Sequence, residues 1–305
     1  MKKKLKLRHL NEEFAIARDR ENERYGLYNK ITQTFDIPVI YKYLDPDLEE
    51  SQLLAAENEY GLYGYLNLKN EVIIAFQYEH ATGFRNGFAY ISRFTEEDGR
   101  GIAYEGVINE KGEPILPMEY EKLYIQYPHH YAIVQKNGKQ GIITLDEQEI
   151  IPLEFNHIET FCYSNGELFE CTQNQKTSVY DVKSGKFVIP LELDSIEDSF
   201  IIDTNPGYMY YIFTRNGLQA LVKFQNETFT FLTDYIYAHI DHLEMSENRV
   251  RVAKNGLWGA TDIDGKQIIP CEYDWIDYAR NGKIKAEKSG KEYILDLNGT
   301  LIESK

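Results

Sequence analysis

One motif returns along the whole chain, and it limits the fold more than any other feature of the sequence. Its clearest copy reads Ala253-Lys254-Asn255-Gly256-Leu257-Trp258-Gly259, then Asp264-Gly265-Lys266-Gln267-Ile268-Ile269-Pro270, then Tyr273. A second copy reads Gln135-Lys136-Asn137-Gly138-Lys139-Gln140-Gly141, then Ile150-Ile151-Pro152, then Phe155, and a third holds Gly106, Pro117 and Tyr120. Gly259 to Pro270, Gly141 to Pro152 and Gly106 to Pro117 are each 11 steps apart. The proline column is Pro38, Ala75, Pro117, Pro152, Pro190, Leu232 and Pro270, at gaps of 37, 42, 35, 38, 42 and 38 residues. Three residues beyond it comes a large apolar side chain each time: Tyr41, Tyr78, Tyr120, Phe155, Leu193, Tyr235 and Tyr273. An incomplete last unit occupies 283–302. A period of this length is the mark of supersecondary units that stack or close into a ring.

Each unit reads as β structure. Arg249 to Ala253 alternates polar and apolar, the pattern of a half-buried strand. Asn255-Gly256 suits a type I′ hairpin turn, which needs positive φ at both central residues, and Leu257 to Ile263 is the return strand. Asp264-Gly265 turns the chain again, and Gln267-Ile268-Ile269 is a third strand, stopped by Pro270. The Gly259 column holds Asn29, Gly64, Gly106, Gly141, Ser178, Ala220 and Tyr293 in the other copies. Its small residues imply close approach of another backbone, expected to be that of the neighbouring unit. Residues 46–56 have helical composition and predict a short helix in place of a strand.

The Trp258-Gly259, Asp264-Gly265, Ile269-Pro270 and Tyr273-Asp274 pairs together resemble the WG (KWG) repeat family of bacterial proteins. The resemblance spans roughly residues 13 to 302; the signature Trp stands only at Trp258, with Tyr28, Tyr63, Glu105, Gln140, Thr177, Gln219 and Glu292 in its column. It implies β-structured modules, often accessory to other domains, and brings no catalytic residues with it.

The expected architecture is therefore all-β, a single repeat domain over 1–305 with about eight tandem antiparallel β-meander units. A propeller-like closed ring is preferred to an open β-superhelix, because the N-terminal Leu5-Lys6-Leu7 could supply a strand that the last unit lacks.

A net charge of −16 argues against nucleic acid and against anionic membranes, and points to a basic protein partner. Cys162, Cys171 and Cys271 form no CxxC pair, so reduced thiols and a cytoplasmic location are expected. No apolar stretch follows Met1-Lys2-Lys3-Lys4, so no signal peptide is expected. Phosphate-loop, nucleophile-elbow and zinc-helix motifs are absent, and no catalytic, metal or cofactor site is expected. His239-Ile240-Asp241-His242 is the nearest approach to a metal cluster, read as an exposed polar stretch between units. The candidate partner contacts are the acidic loop Glu96, Glu97 and Asp98 and the ring cluster Tyr127, His129, His130 and Tyr131, placed in a connection between units. The function expected is a non-catalytic protein-binding scaffold, an inhibitor or immunity-type protein for a basic partner. The alternative is a small-ligand or glycan-binding module linked to the cell envelope.

Overall fold

The computed structural model describes residues 5–45, 48, 50–97, 100–126, 131–161, 164, 166–199, 207–241 and 247–304. All regular structure among them is β, in eight four-stranded antiparallel sheets whose strands follow one another in chain order. The sheets cover 5–41, 43–78, 80–120, 122–155, 157–193, 195–231, 239–273 and 275–304. Two compact units, Met1–Phe155 and Asn156–Lys305, each hold four of them.

Within each unit, successive sheets pack face to face. The first and second share Ile16, Leu27, Ile37, Leu44, Leu54 and Leu66. The second and third share Tyr65, Ile74, Phe84, Ile91 and Ile108. In the other unit the seventh and eighth share Ala260, Ile269, Ile276, Ile284 and Leu295. The middle strands of the sixth sheet therefore lie between the fifth and seventh sheets and are buried on both faces. This is why Met209 to Phe213 is an unbroken apolar run. The edge strands alternate instead, as in Lys122–Gln126, and in the eighth sheet so does Lys283–Lys288.

The glycine and proline columns meet in one device. In the seventh sheet Trp258 pairs with Tyr273 and Ala260 with Ile269, so two steps of the third strand face four of the fourth. The same bulge lies opposite Gly26, Gly64, Gly106 and Gly141. A Cβ on Gly259 would run into the Ile269 carbonyl oxygen and come within 2.8 Å of Pro270 C. The close backbone is thus the fourth strand of the same sheet, not a neighbouring unit. Proline suits the bulge because no ladder N–H is needed there, and the strand Gln267–Tyr273 runs through Pro270 rather than stopping at it.

Four other expectations need correction. Gly26, not Asn29, stands in the glycine column, and Tyr25, not Tyr28, in the tryptophan column, since Tyr25 pairs with Tyr41. In the sixth sheet Tyr237 takes the place assigned to Tyr235, bridging Gln219 as Tyr273 pairs with Trp258. Leu54–Glu57 is a strand, and no helix occurs among the described residues of 46–56; Pro46, Asp47 and Glu49 lie outside them. Small Ala55 and Ala56 are fully buried there, between sheets, where the ladder supplies the backbone partners. Finally, the first strand, Leu5–His9, pairs with the second strand of its own sheet, and the eighth sheet has four strands of its own. No strand exchange between the chain ends is needed.

Candidate functional site

Strand alternation builds a cleft of about 780 Å³ among the second, third and fourth sheets. The short first strand Tyr43–Leu44 sends Leu44 into the core, which leaves Tyr43 and Asp45 on the cleft side. In His80–Ala81 the same rule buries Ala81 and turns His80 and Thr82 to the cleft. Tyr63, in the tryptophan column, joins them: its ring centroid lies 5.9 Å from Tyr43 and 5.4 Å from His80. Burial, then the Glu57 carboxylate beside it, pushes the Tyr63 phenol up to about 12.

The remaining wall carries Glu50, Arg85, Asn86, Tyr90 and Tyr124. Tyr90 is held by its hydroxyl oxygen, which accepts the Ile125 N–H at 2.9 Å and ties the third sheet to the fourth. Burial raises its pKa. Glu50 accepts the Asn86 N–H at 2.5 Å. Gly83 leaves room for Asp45, whose carboxylate a Cβ there would strike. Three clustered rings beside carboxylates and amides can stack on a planar or ring-shaped group and hydrogen-bond its edge.

A second feature projects from the third sheet. Its middle strands, Phe88–Glu97 and Arg100–Asn109, are ten residues each, against six for Tyr131–Lys136 and Lys139–Thr144 in the fourth. The four extra residue pairs lengthen this hairpin by about 13 Å. Exposed Phe94 and Glu96 lie on this arm.

Of the candidate contacts, Glu96 is exposed on the arm and Glu97 pairs with Arg100 along the backbone. Asp98, Tyr127, His129 and His130 lie outside the described residues. Tyr131 is 5% exposed and starts a strand pairing with Gln126 and Thr144 of its own sheet, so its ring is core and not contact surface. The stretch before it joins two strands of one sheet, not two units.

His239 and Asp241 belong to a partly buried network in the second unit, with Asp241 at its buried end; His242 lies outside the described residues. Asp241 is ion-paired with Arg251 and accepts the Tyr278 hydroxyl at 3.0 Å. The guanidinium sits 3.8 Å from the Tyr278 ring centroid and 5.4 Å from Trp258, and donates to the Ile276 carbonyl at 3.0 Å. His239 meets Trp258 edge-on at 5.6 Å. Asp241 is therefore a buried structural carboxylate, not part of an exposed polar stretch. Among the described residues no group of three His, Cys, Asp or Glu could hold a metal ion, and no helix is long and apolar enough to cross a membrane.

The cleft residues Tyr43, Tyr63 and His80 were not singled out from the sequence. The available signal was the aromatic residue at Tyr63 in the tryptophan column, flanked by the alternating triplets Tyr43-Leu44-Asp45 and His80-Ala81-Thr82.

The family model described as WG containing repeat matches residues 63–93, 106–139 and 258–291. No curated protein matches the chain. Among solved structures, a eukaryotic initiation factor aligns over 97% of this chain and 96% of its own at 9% identity, with a TM-score of 0.35. Apo AztD from Citrobacter koseri aligns over 98% and 93% at 12% identity and a TM-score of 0.26. Hydrazine synthase from Kuenenia stuttgartiensis aligns over 96% and 94% at 9% identity and a TM-score of 0.25. Scores this low carry neither fold nor function across.

Proposed function

This chain is a WG-repeat protein, with the family's repeat in three stretches and the same bulged four-stranded unit recurring along it, and we propose that it is a non-catalytic cytoplasmic scaffold that binds a basic protein, in the manner of an inhibitor or immunity protein. The observation that carries the reading is the lengthened hairpin of the third sheet, which holds exposed Phe94 beside Glu96. An apolar ring within a charged surround is the composition of a contact centre with a polar rim. The net charge of −16 supplies the preference for a basic partner.

Replacing 94–103 by Asn-Gly leaves Arg93 and Tyr104, already paired, flanking a tight turn and gives both strands six residues. Affinity capture from the native host should lose its basic partner with this variant while the melting midpoint holds. Capture that survives the trimming rejects the arm.

Eight four-stranded meanders are also the make-up of a propeller, and the closed ring is the assembly we propose. Solution scattering tests it. A compact 305-residue chain should give a radius of gyration of about 19 Å, and an open superhelix a clearly larger one. One observation favours a second reading: the ring-lined cleft would also suit a sugar, as in a small-ligand or glycan-binding module.

A further inference from the structure

One sheet edge lacks the protection that the others carry. Every sheet has its fourth strand at an edge. An exposed edge invites another chain to pair with it, and a proline or a charge on the strand discourages this. The fourth strands of the first, third, fourth, fifth and seventh sheets hold both, as Glu149–Phe155 does in Pro152 with Glu149 and Glu154. Those of the sixth and eighth sheets are only four residues long. The second sheet is the exception. Its fourth strand, Val72–Tyr78, is seven residues long, has Ala75 where the proline stands, and carries no charge. Val72 is 53% and Ile73 47% exposed; successive residues of a strand point to opposite faces, so this edge offers apolar surface on both. The bulge lies between Ile74 and Tyr78, which leaves Val72 to Ala75 as the regular part of the edge.

The missing charge has a fixed place in the repeat. Just before the large apolar column the third, fifth and seventh sheets have Glu119, Glu192 and Glu272, ion-paired with Lys136, Arg215 and Lys288 of the next sheet. The second sheet has Gln77 there, and its amide donates to the Tyr78 hydroxyl at 3.4 Å. Charge returns only past the strand ends, and with one sign. Glu71 precedes the strand and Glu79 follows it, both exposed. Their hydrogen-bond donors are the Asn67 amide and the Phe94 N–H, neither of which carries a charge. The edge is thus an uncharged apolar strand between two carboxylates.

We infer that this edge takes up an extended segment of another protein as a fifth strand, and that the segment is apolar in its middle and basic at both ends. Main-chain hydrogen bonds give such pairing its affinity, and alternate side chains give its register. Charge decides against a second copy of this chain. Two copies paired antiparallel about Ala75 would set Glu71 opposite Glu79 at both ends, and parallel pairing would set each glutamate beside itself. Like charges directly opposite are destabilising. A net charge of −16 on each copy adds to the repulsion. The same two glutamates attract Lys or Arg at the ends of an incoming strand. The inference does not rest on the arm of the third sheet being a contact surface.

The test is an NMR titration of the full chain with capped Lys-Thr-Val-Val-Val-Thr-Lys, the same peptide with Glu at both ends, and the same peptide with its three valines N-methylated so that they cannot donate. The basic peptide should bind with a Kd below about 1 mM and shift the Val72 to Ala75 amides. Each control should bind at least about tenfold more weakly, the loss expected for one or two hydrogen bonds. Ala75→Pro should weaken the basic peptide by a similar factor while the melting midpoint holds, because five sister strands carry proline at that place. If that variant fails to fold, Ile73→Lys, at an exposed position, should weaken binding too. Trimming the arm should leave the peptide affinity unchanged, which separates this edge from the arm. Absence of saturation, equal binding of either control, wild-type affinity in both variants, or loss of binding on trimming would overturn the inference. So would a dimer of the wild type that Ala75→Pro dissolves, since it would give the edge to a second copy.

Discussion

At Gly259 the constraint is steric and local. An added side chain has to displace the bulged fourth strand at Ile269 and Pro270, which are backbone and cannot swing aside. Gly259→Val should therefore cost about 1–3 kcal/mol, as overpacking of a tight site does, measured by urea denaturation. Phe155 presents the opposite case. It is 2% exposed, so Phe155→Ala should cost about 3–5 kcal/mol through lost burial and the cavity left behind. An unchanged midpoint for either variant would contradict the packing described. Both columns were legible in the sequence, because size limits and burial recur with the repeat. Tyr41, Tyr78, Tyr120, Leu193 and Tyr273 are buried as Phe155 is, while Tyr235 is only partly so. Which backbone presses on the glycine was not legible. A small-residue column records that something is close, and both a partner strand and a neighbouring sheet satisfy it.

The elements are joined by two kinds of side-chain turn. Asn67, Asn109, Asp262 and Asp296 each accept two backbone N–H groups of the turn that follows, as from Asp264 at 3.1 Å and Lys266 at 2.9 Å onto Asp262. Asp264-Gly265 was read as the turn signal; the organising residue is two positions earlier, and Gly265 supplies the positive φ of 79°. Asp262→Ala should cost about 1–2 kcal/mol, whereas Asp262→Asn should be nearly neutral because Asn does the same work at 67 and 109. The second kind links successive elements: the residue after the large apolar column caps the next hairpin. Glu121 accepts Gly138 N–H at 3.0 Å and Asp194 accepts Gly217 N–H at 2.9 Å. The Gln135 amide, then the turn N–H groups, hold Glu121 below its ordinary value; Lys176 and Gly217 do the same for Asp194. A carboxylate with a depressed folded pKa adds stability above its unfolded pKa, and that share is lost as pH falls through the folded value. The difference in melting midpoint between the wild type and Glu121→Gln should thus be present at neutral pH and close below about pH 4. A difference constant over that range would show that the charge of Glu121 contributes nothing.

At the scale of the whole molecule, repetition fixes the fold and exceptions to it make the surface. The repeat was readable because every unit meets the same packing problem. The cleft was not, because it gathers short strands of three sheets, and which of their residues face it is set by the strand register. The arm is likewise an excess of length in one copy, seen in the sequence only as the acidic run Glu96-Glu97-Asp98. That run yields a prediction about rate. An excess of 49 acidic over 33 basic residues surrounds the molecule with a negative potential, and a basic partner is drawn through it before any contact forms. Exposed charges are screened over roughly 8 Å at physiological salt, so the association rate should fall steeply as ionic strength rises from low values. Replacing Glu96 and Glu97 by Gln and Asp98 by Asn should lower that rate further, with little effect on the dissociation rate or on stability, because each amide keeps the size of the acid and removes only a long-range charge. The variant should gain no affinity for DNA, since a net charge of −16 is only partly relieved by three substitutions. Stopped-flow association with the captured partner at several salt concentrations measures this. A rate indifferent to salt, or a partner that is itself acidic, would remove charge from the recognition and leave the apolar arm and the cleft to account for it.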